Sequence, residues 1–239
     1  YSRHENVESA RQPPRVRDGR PLRRLRGPRT PVIAGGGLWY NAGMETMKQI
    51  MYGVTDFARI RAENGYFVDR TALIRELEKT SYAMFLRPRR FGKSLLCSIL
   101  QCYYDIDYAG RFEEFFGGLD IGREPTAERG KYLFIDFNFT GVEKRIDRVQ
   151  DSFNEYCSER LDVFVERQAG RLPEGTTAAV LAKRTCHEKF NTLTMRLKGS
   201  GLALYITIDE YDNFTNTILA ESRESYEALC HGDGFFKQF

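Results

Sequence analysis

The chain has 239 residues, 41% hydrophobic and 13% aromatic, with a formal charge of +3. That is enough apolar side chain to build one large core or two small ones, which excludes a wholly disordered or collagen-like polymer. No run of roughly eighteen apolar residues occurs, because the most apolar stretch, Leu202 to Ile208, closes on Asp209 and Glu210, so no membrane-spanning helix is expected. A soluble, cytoplasmic protein is the expectation.

The charge is unevenly divided. Residues 1 to 43 hold nine arginines, no lysine, three acids (Glu5, Glu8, Asp18) and five of the eight prolines. With that basic surplus removed, the remainder is net acidic, and nucleic-acid binding cannot be argued from the overall charge. The segment has neither helical nor strand periodicity and ends in Gly35-Gly36-Gly37, so it reads as a disordered Arg/Pro/Gly-rich stretch. Three readings stand for it: a basic arm that touches nucleic acid, upstream read-through before a start at Met44 or Met47, and a signal peptide, for which the one apolar patch, Pro31 to Tyr40, holds three glycines and makes a weak core. Five cysteines (97, 102, 157, 186, 230) without a CxxC pair suit a reduced chain in which they serve as small core residues, and the three histidines have no metal-ligand spacing.

Residues 44–80 read as an N-terminal extension and 81–239 as a partial P-loop core. Thr71 to Lys79 is expected to be a short helix after the aromatic turn Tyr66-Phe67-Val68-Asp69. Tyr82 to Leu86 is an apolar run stopped by Arg87-Pro88, which predicts a buried strand. Lys93 to Tyr104 then carries Leu95, Leu96, Ile99, Leu100 and Tyr103 at helical spacing.

A second apolar strand is expected at Tyr132 to Phe137, then a long helix from about Ile146 to Gln168. A polar break at Pro173 to Gly175 precedes a helix from Ala178 to Lys198. Ala203 to Ile208 forms a third strand, continuously apolar as a strand covered on both faces should be. A polar helix, Glu221 to Leu229, closes the pattern. Strands alternating with helices define an α/β class with a mostly parallel sheet; joined to the loop and strand-end motifs described next, this becomes the expectation of a P-loop NTPase-type three-layer sandwich.

The first expected strand leads into Arg87-Pro88-Arg89-Arg90-Phe91-Gly92-Lys93-Ser94, and a helix begins at the lysine. Such a junction turns backbone N–H groups and a helix N-terminus toward an anion, lets the lysine reach β- and γ-phosphates, and gives the serine hydroxyl to Mg²⁺. Arg90, Phe91, Gly92, Lys93 and Ser94 are the candidate nucleotide-binding residues. Gly-Lys-Ser is short enough to recur by chance, and its place between strand and helix supplies the specificity. Arg87 stands where a Walker A loop has its first glycine. Arg87, Arg89 and Arg90 suit either a phosphate clamp or a solvated basic patch.

The third strand ends in Ile208-Asp209-Glu210. An aspartate at that place can hold the Mg²⁺ shell, and an adjacent glutamate can polarise the attacking water. Ser94 and Asp209 are therefore the candidate metal residues and Glu210 the candidate catalytic one. Asp136, at the end of the second strand, reads as a turn former and stays outside the candidate site.

These motifs, with Tyr52-Gly53-Val54-Thr55-Asp56-Phe57, Tyr66-Phe67-Val68-Asp69-Arg70-Thr71, Ile135-Asp136-Phe137 and Ile208-Asp209-Glu210-Tyr211-Asp212-Asn213, resemble the ordered motifs of the AAA-ATPase-like family over about Met51 to Phe239. The resemblance implies a module that binds ATP with Mg²⁺ and hydrolyses it, often followed by a PD-(D/E)XK nuclease-like domain. It also implies that Arg-Pro-Arg-Arg-Phe-Gly-Lys-Ser is the usual loop form, so Arg87 at the first glycine position belongs to the pattern. P-loop ATPases of the Asp-Glu type place a further strand after that acidic pair; no apolar run follows here, so a C-terminally truncated domain with little turnover is the expectation. Alternatives are a nucleotide-gated switch without useful turnover and a nucleic-acid-associated protein acting through the arginine arm. A nucleic-acid or protein partner would then act through a C-terminal region beyond this chain.

Overall fold

The computed structural model describes residues 47–88, 90–143, 145 and 147–211. Two apolar heptapeptides, Tyr132–Asn138 (β1) and Ala203–Asp209 (β2), pair in parallel with Asp136 opposite Thr207 and Asn138 opposite Asp209. Before β1 come α1 (Phe57–Ala62), α2 (Leu73–Leu77), α3 (Lys93–Tyr104), α4 (Phe112–Phe116) and α5 (Asp120–Arg123). Between the strands run α6 (Val149–Arg167), α7 (Thr176–Leu181) and α8 (Cys186–Leu197).

Side chains alternate between the two faces of a strand, and each face of this sheet has its own core. Leu133, Ile135 and Phe137 point to one side, against Phe153, Cys157, Leu161 and Phe164 of α6 and Leu193 of α8. Phe134 points to the other, where Tyr103 and Tyr104 of α3, Phe57 of α1, Ile74 of α2 and Phe112 and Phe116 of α4 assemble. Tyr205 of β2 stacks on Tyr104 at 4.4 Å between ring centroids and on Phe134 at 5.4 Å. Helices on both faces of a parallel sheet make three layers, as the sequence pattern predicts.

Several elements agree closely with expectation. Helix α3 runs from Lys93 to Tyr104 as read, both later strands form with one more residue each, and Cys102, Cys157 and Cys186 are buried free thiols. Other elements differ. Tyr82 to Leu86 is not a strand: Tyr82 is 96% and Met84 73% exposed, and among the described residues no strand pairs with the segment. Strand geometry requires a partner for the backbone N–H and C=O groups, and an apolar run alone does not supply one. Ile206 and Ile208 of β2 are partly exposed rather than covered, because α6 packs over β1.

The helix expected over Ala178 to Lys198 is two helices. Thr185 breaks it: its hydroxyl accepts from the Glu188 N–H while the Glu188 carboxylate accepts from the Thr185 N–H, a capping box that starts α8 afresh. The long helix starts at Val149, and its expected first residue, 146, lies outside the described residues, as do residues 1–43, Arg89 and the expected helix Glu221 to Leu229. Among the described residues no helix is long and apolar enough to cross a membrane.

Because Thr185 satisfies an N–H that α8 leaves without an intrahelical acceptor, Thr185→Ala should lower the unfolding free energy of the full chain by about 1 kcal/mol, read from the urea midpoint at constant slope. An unchanged midpoint would mean that the α7–α8 break is held by packing alone.

Candidate functional site

The site is built at the start of α3 and the ends of β1 and β2. Gly92 caps α3 with φ 78°, and the space where a side chain would sit holds no neighbouring atom. Glycine is needed there for backbone conformation, not for room. Leu96 N–H closes the first helical turn on the Gly92 carbonyl at 2.9 Å. The N–H groups of Lys93, Ser94 and Leu95 have no intrahelical acceptor, no side chain caps them, and no acid lies in the turn. For a twelve-residue helix this is a terminus open to an anion.

Lys93 and Ser94, adjacent in sequence, serve two different openings. Lys93 lines one of about 340 Å³ with Phe85, Leu86, Arg87, Pro88 and Tyr211. Arg87 lies 5.4 Å over the Phe85 ring and so joins the lysine in this opening. Ser94 lines a cleft of about 300 Å³ together with Asp56, Cys97, Asp136, Asn138 and Asp209. Arg90 and Phe91 are exposed on the loop, Phe91 to 64%, and Arg90 holds φ 67°.

The link between the two expected halves is direct. Ser94 Oγ donates to Asp209 Oδ2 at 2.5 Å, joining residues 115 apart in sequence. Asp209 is 5% exposed, and its other oxygen accepts from the Glu210 N–H at 3.0 Å. Among the described residues no lysine or arginine forms an ion pair with it. A buried acidic side chain whose oxygens meet only a hydroxyl and a backbone N–H suits a hard divalent cation held through oxygen. Among the described residues no group of three or more His, Cys, Asp and Glu is assembled to hold an ion. Mg²⁺ at phosphate sites takes one or two side-chain oxygens, with water and phosphate completing the shell, and the Ser94–Asp209 pair meets that demand.

Glu210 follows at φ 54°, partly buried. One residue that sequence reasoning set aside enters the same cleft. Asp136 accepts from Thr207 Oγ1 at 2.6 Å, across the strand pair. Burial pushes its carboxyl above the usual aspartate range, with Asp209 adding to the rise, against the Thr207 hydrogen bond and Arg160. The strand register was the missing information, since Asp136 reaches the cleft only when β1 and β2 pair as they do.

A parallel sheet flanked by helices on both faces, with a glycine-capped helix start facing the strand ends, defines an α/β domain of P-loop NTPase type. The family model described as Predicted AAA-ATPase matches residues 51–239, and the chain belongs to this AAA-ATPase-like family. That description gives ATP hydrolysis as the predicted activity of the family. No curated protein and no solved structure matches the chain.

The Asp136 carboxyl gives a pH signature. Its folded pKa is raised, so the folded state holds the proton longer than the unfolded one, and stability falls as pH climbs from the ordinary value of 3.8 through the raised one. Asp136→Asn removes that decline while keeping an oxygen for Thr207. In EDTA, the melting temperature of the variant should therefore gain on the parent as pH rises through this window. A constant difference across the window would show that Asp136 ionises in the fold as it does in the unfolded chain.

Proposed function

We propose that this chain is a Mg²⁺-dependent ATP-binding and ATP-hydrolysing module, with its core over 81–239, an N-terminal extension over 44–80 and residues 1–43 outside the core. The observation that carries the reading is the Ser94–Asp209 hydrogen bond at the open N-terminus of α3. It brings a phosphate-loop hydroxyl and a strand-end carboxylate to one point, which a solvated basic loop and an ordinary turn would have no reason to do.

The roles follow from position. Backbone N–H groups of Arg90 to Ser94 meet the phosphates, and Lys93, in the opening with Arg87, neutralises them as a point charge. Ser94 Oγ and the Asp209 carboxylate would hold Mg²⁺, which when bound offsets the charge of the β- and γ-phosphate oxygens. Glu210, next along the chain from Asp209, accepts a proton from the attacking water. Phe57 and Ile74, from the extension, share a core with Ile99 and Leu100 of α3, so the extension supports the helix that carries the loop.

Removing the Lys93 charge should cost ATP affinity by about 2 to 4 kcal/mol in Lys93→Ala, measured by calorimetry on the full chain. Equal affinity of variant and parent would sink the phosphate-loop reading. Glu210→Gln should keep Mg·ATP binding while phosphate release falls about 10²-fold, the usual size of a general-base contribution. Retained binding with no measurable hydrolysis by the parent itself would favour the nucleotide-gated switch. The arginine arm is tested separately, by comparing DNA affinity with and without residues 1–43. Cytoplasmic residence belongs to this proposal as well.

A further inference from the structure

We propose that Asp136 is a positioning residue for the water shell of the cation held by Ser94 and Asp209; this rests on the Mg²⁺·ATP reading of those two residues. The inference starts from the sheet face turned toward α3. Along β1 that face reads Tyr132, Phe134, Asp136, Asn138, and along β2 it reads Tyr205, Thr207, Asp209. It is aromatic at the strand starts and polar at the strand ends. The change occurs within two residues on both strands, at the level where Ser94 of α3 comes over the sheet.

The polar residues of this face do not share one task. Asn138 Oδ1 accepts from the Thr140 N–H in the turn after β1, and Asp209 meets Ser94. Asp136 uses Oδ1 for Thr207, while among the described residues its Oδ2 has no hydrogen-bond partner and the side chain lines the cleft. Arg160, the nearby cation, donates to the main-chain oxygen of Asp136 at 3.0 and 3.2 Å, not to the carboxylate. A partly buried acid at a strand end adds nothing to the packing of Phe134 and Tyr205, and desolvating it is unfavourable.

Position assigns it a second-layer role. Asp136 is paired with Thr207, two residues before Asp209, so the two aspartates are diagonal neighbours on one face of the sheet. Ser94 and Asp209 are hydrogen-bonded to each other, whereas Asp136 is hydrogen-bonded to neither and is held by Thr207, so it stands beside the pair with one oxygen left for a water. Mg²⁺ sheds water reluctantly, and an acceptor for a coordinated water orients the shell around the direct ligands. Thr207 fixes the carboxylate by holding one oxygen, which leaves the other for that water.

The test uses the full chain and reads binding, not turnover. ATP affinity is measured by calorimetry in EDTA and across a Mg²⁺ titration for the parent, Asp136→Asn, Asp136→Glu and Thr207→Val. In Asp136→Asn the Mg²⁺ concentration that gives half the metal-dependent tightening should rise about 10-fold, with ATP affinity in EDTA unchanged. Asp136→Glu should restore part of the shift, and Thr207→Val should move it the same way by a smaller factor. A parental Mg²⁺ midpoint in Asp136→Asn overturns the proposal, as does an equal loss in EDTA and in Mg²⁺, which marks a purely structural residue. If Asp136→Asn does not melt cooperatively, Thr207→Val decides, and an unchanged midpoint there overturns it. A parent that binds ATP without any Mg²⁺ dependence also overturns it, whereas a parent that binds no ATP fails the function proposed above at its root.

Discussion

The Ser94–Asp209 hydrogen bond closes the site, and it exists only because three separate placements agree. Helix α3 must begin at Lys93, which the left-handed backbone at Gly92 sets. Strand β2 must end at Asp209, in register with Asn138 of β1. The helix must then lie over that end of the sheet, which the Tyr104–Tyr205 stack and the packing of Phe134 against α3 enforce. Displace any one of these by a residue and the hydroxyl and carboxylate part company, since a one-residue slip in a strand turns every side chain to the opposite face.

The two cores explain why the sheet can carry a polar end at all. Phe153, Leu161 and Phe164 of α6 seal the face of β1 turned away from the site along its whole length, so Leu133, Ile135 and Phe137 are fully or nearly buried. The α3 face is sealed only by the aromatic cluster at the strand starts. Hydrophobic burial there fixes the geometry, and the strand ends remain free to hold Asp136, Thr207 and Asp209. Beyond the strands, Asp105 and Asp107 tie the C-terminal end of α3 to α6 through Arg167, Arg171 and Gln168, so the helix is held at the end remote from Gly92 as well.

Which parts of this were legible in the sequence depends on whether the signal is local. Helix α3 was, because glycine, lysine and an amphipathic run lie side by side. Strands β1 and β2 were, because each is an apolar run ending at an acid or an amide. The Thr185 and Glu188 capping box was equally local and was hidden by the continuous apolar spacing on either side of it. Tyr82 to Leu86 shows the opposite failure: its composition is that of a strand, but strand formation depends on a neighbour supplied from elsewhere in the chain. Asp136 was illegible for a related reason. Its partner Thr207 is 71 residues away, and only the register of the sheet makes them neighbours.

The backbone bears the same mark as the side chains. Among the described residues three other than glycine have positive φ, Asn64, Arg90 and Glu210. Asn64 ends a helical turn, where asparagine tolerates that conformation well. Arg90 and Glu210 have no such excuse, and each costs the fold about 1 kcal/mol or more relative to a relaxed residue. Arg90 lies two residues before Gly92, and Glu210 one residue after Asp209, so both strained positions flank the Ser94–Asp209 contact from its two sides. Strain of that size persists only where the surrounding packing over-determines the chain, and here the aromatic core beneath α3 and the paired strands do so. Stability made by Tyr104, Phe134 and Tyr205 is thus partly offset a few residues away, where the chain bends sharply into and out of the site.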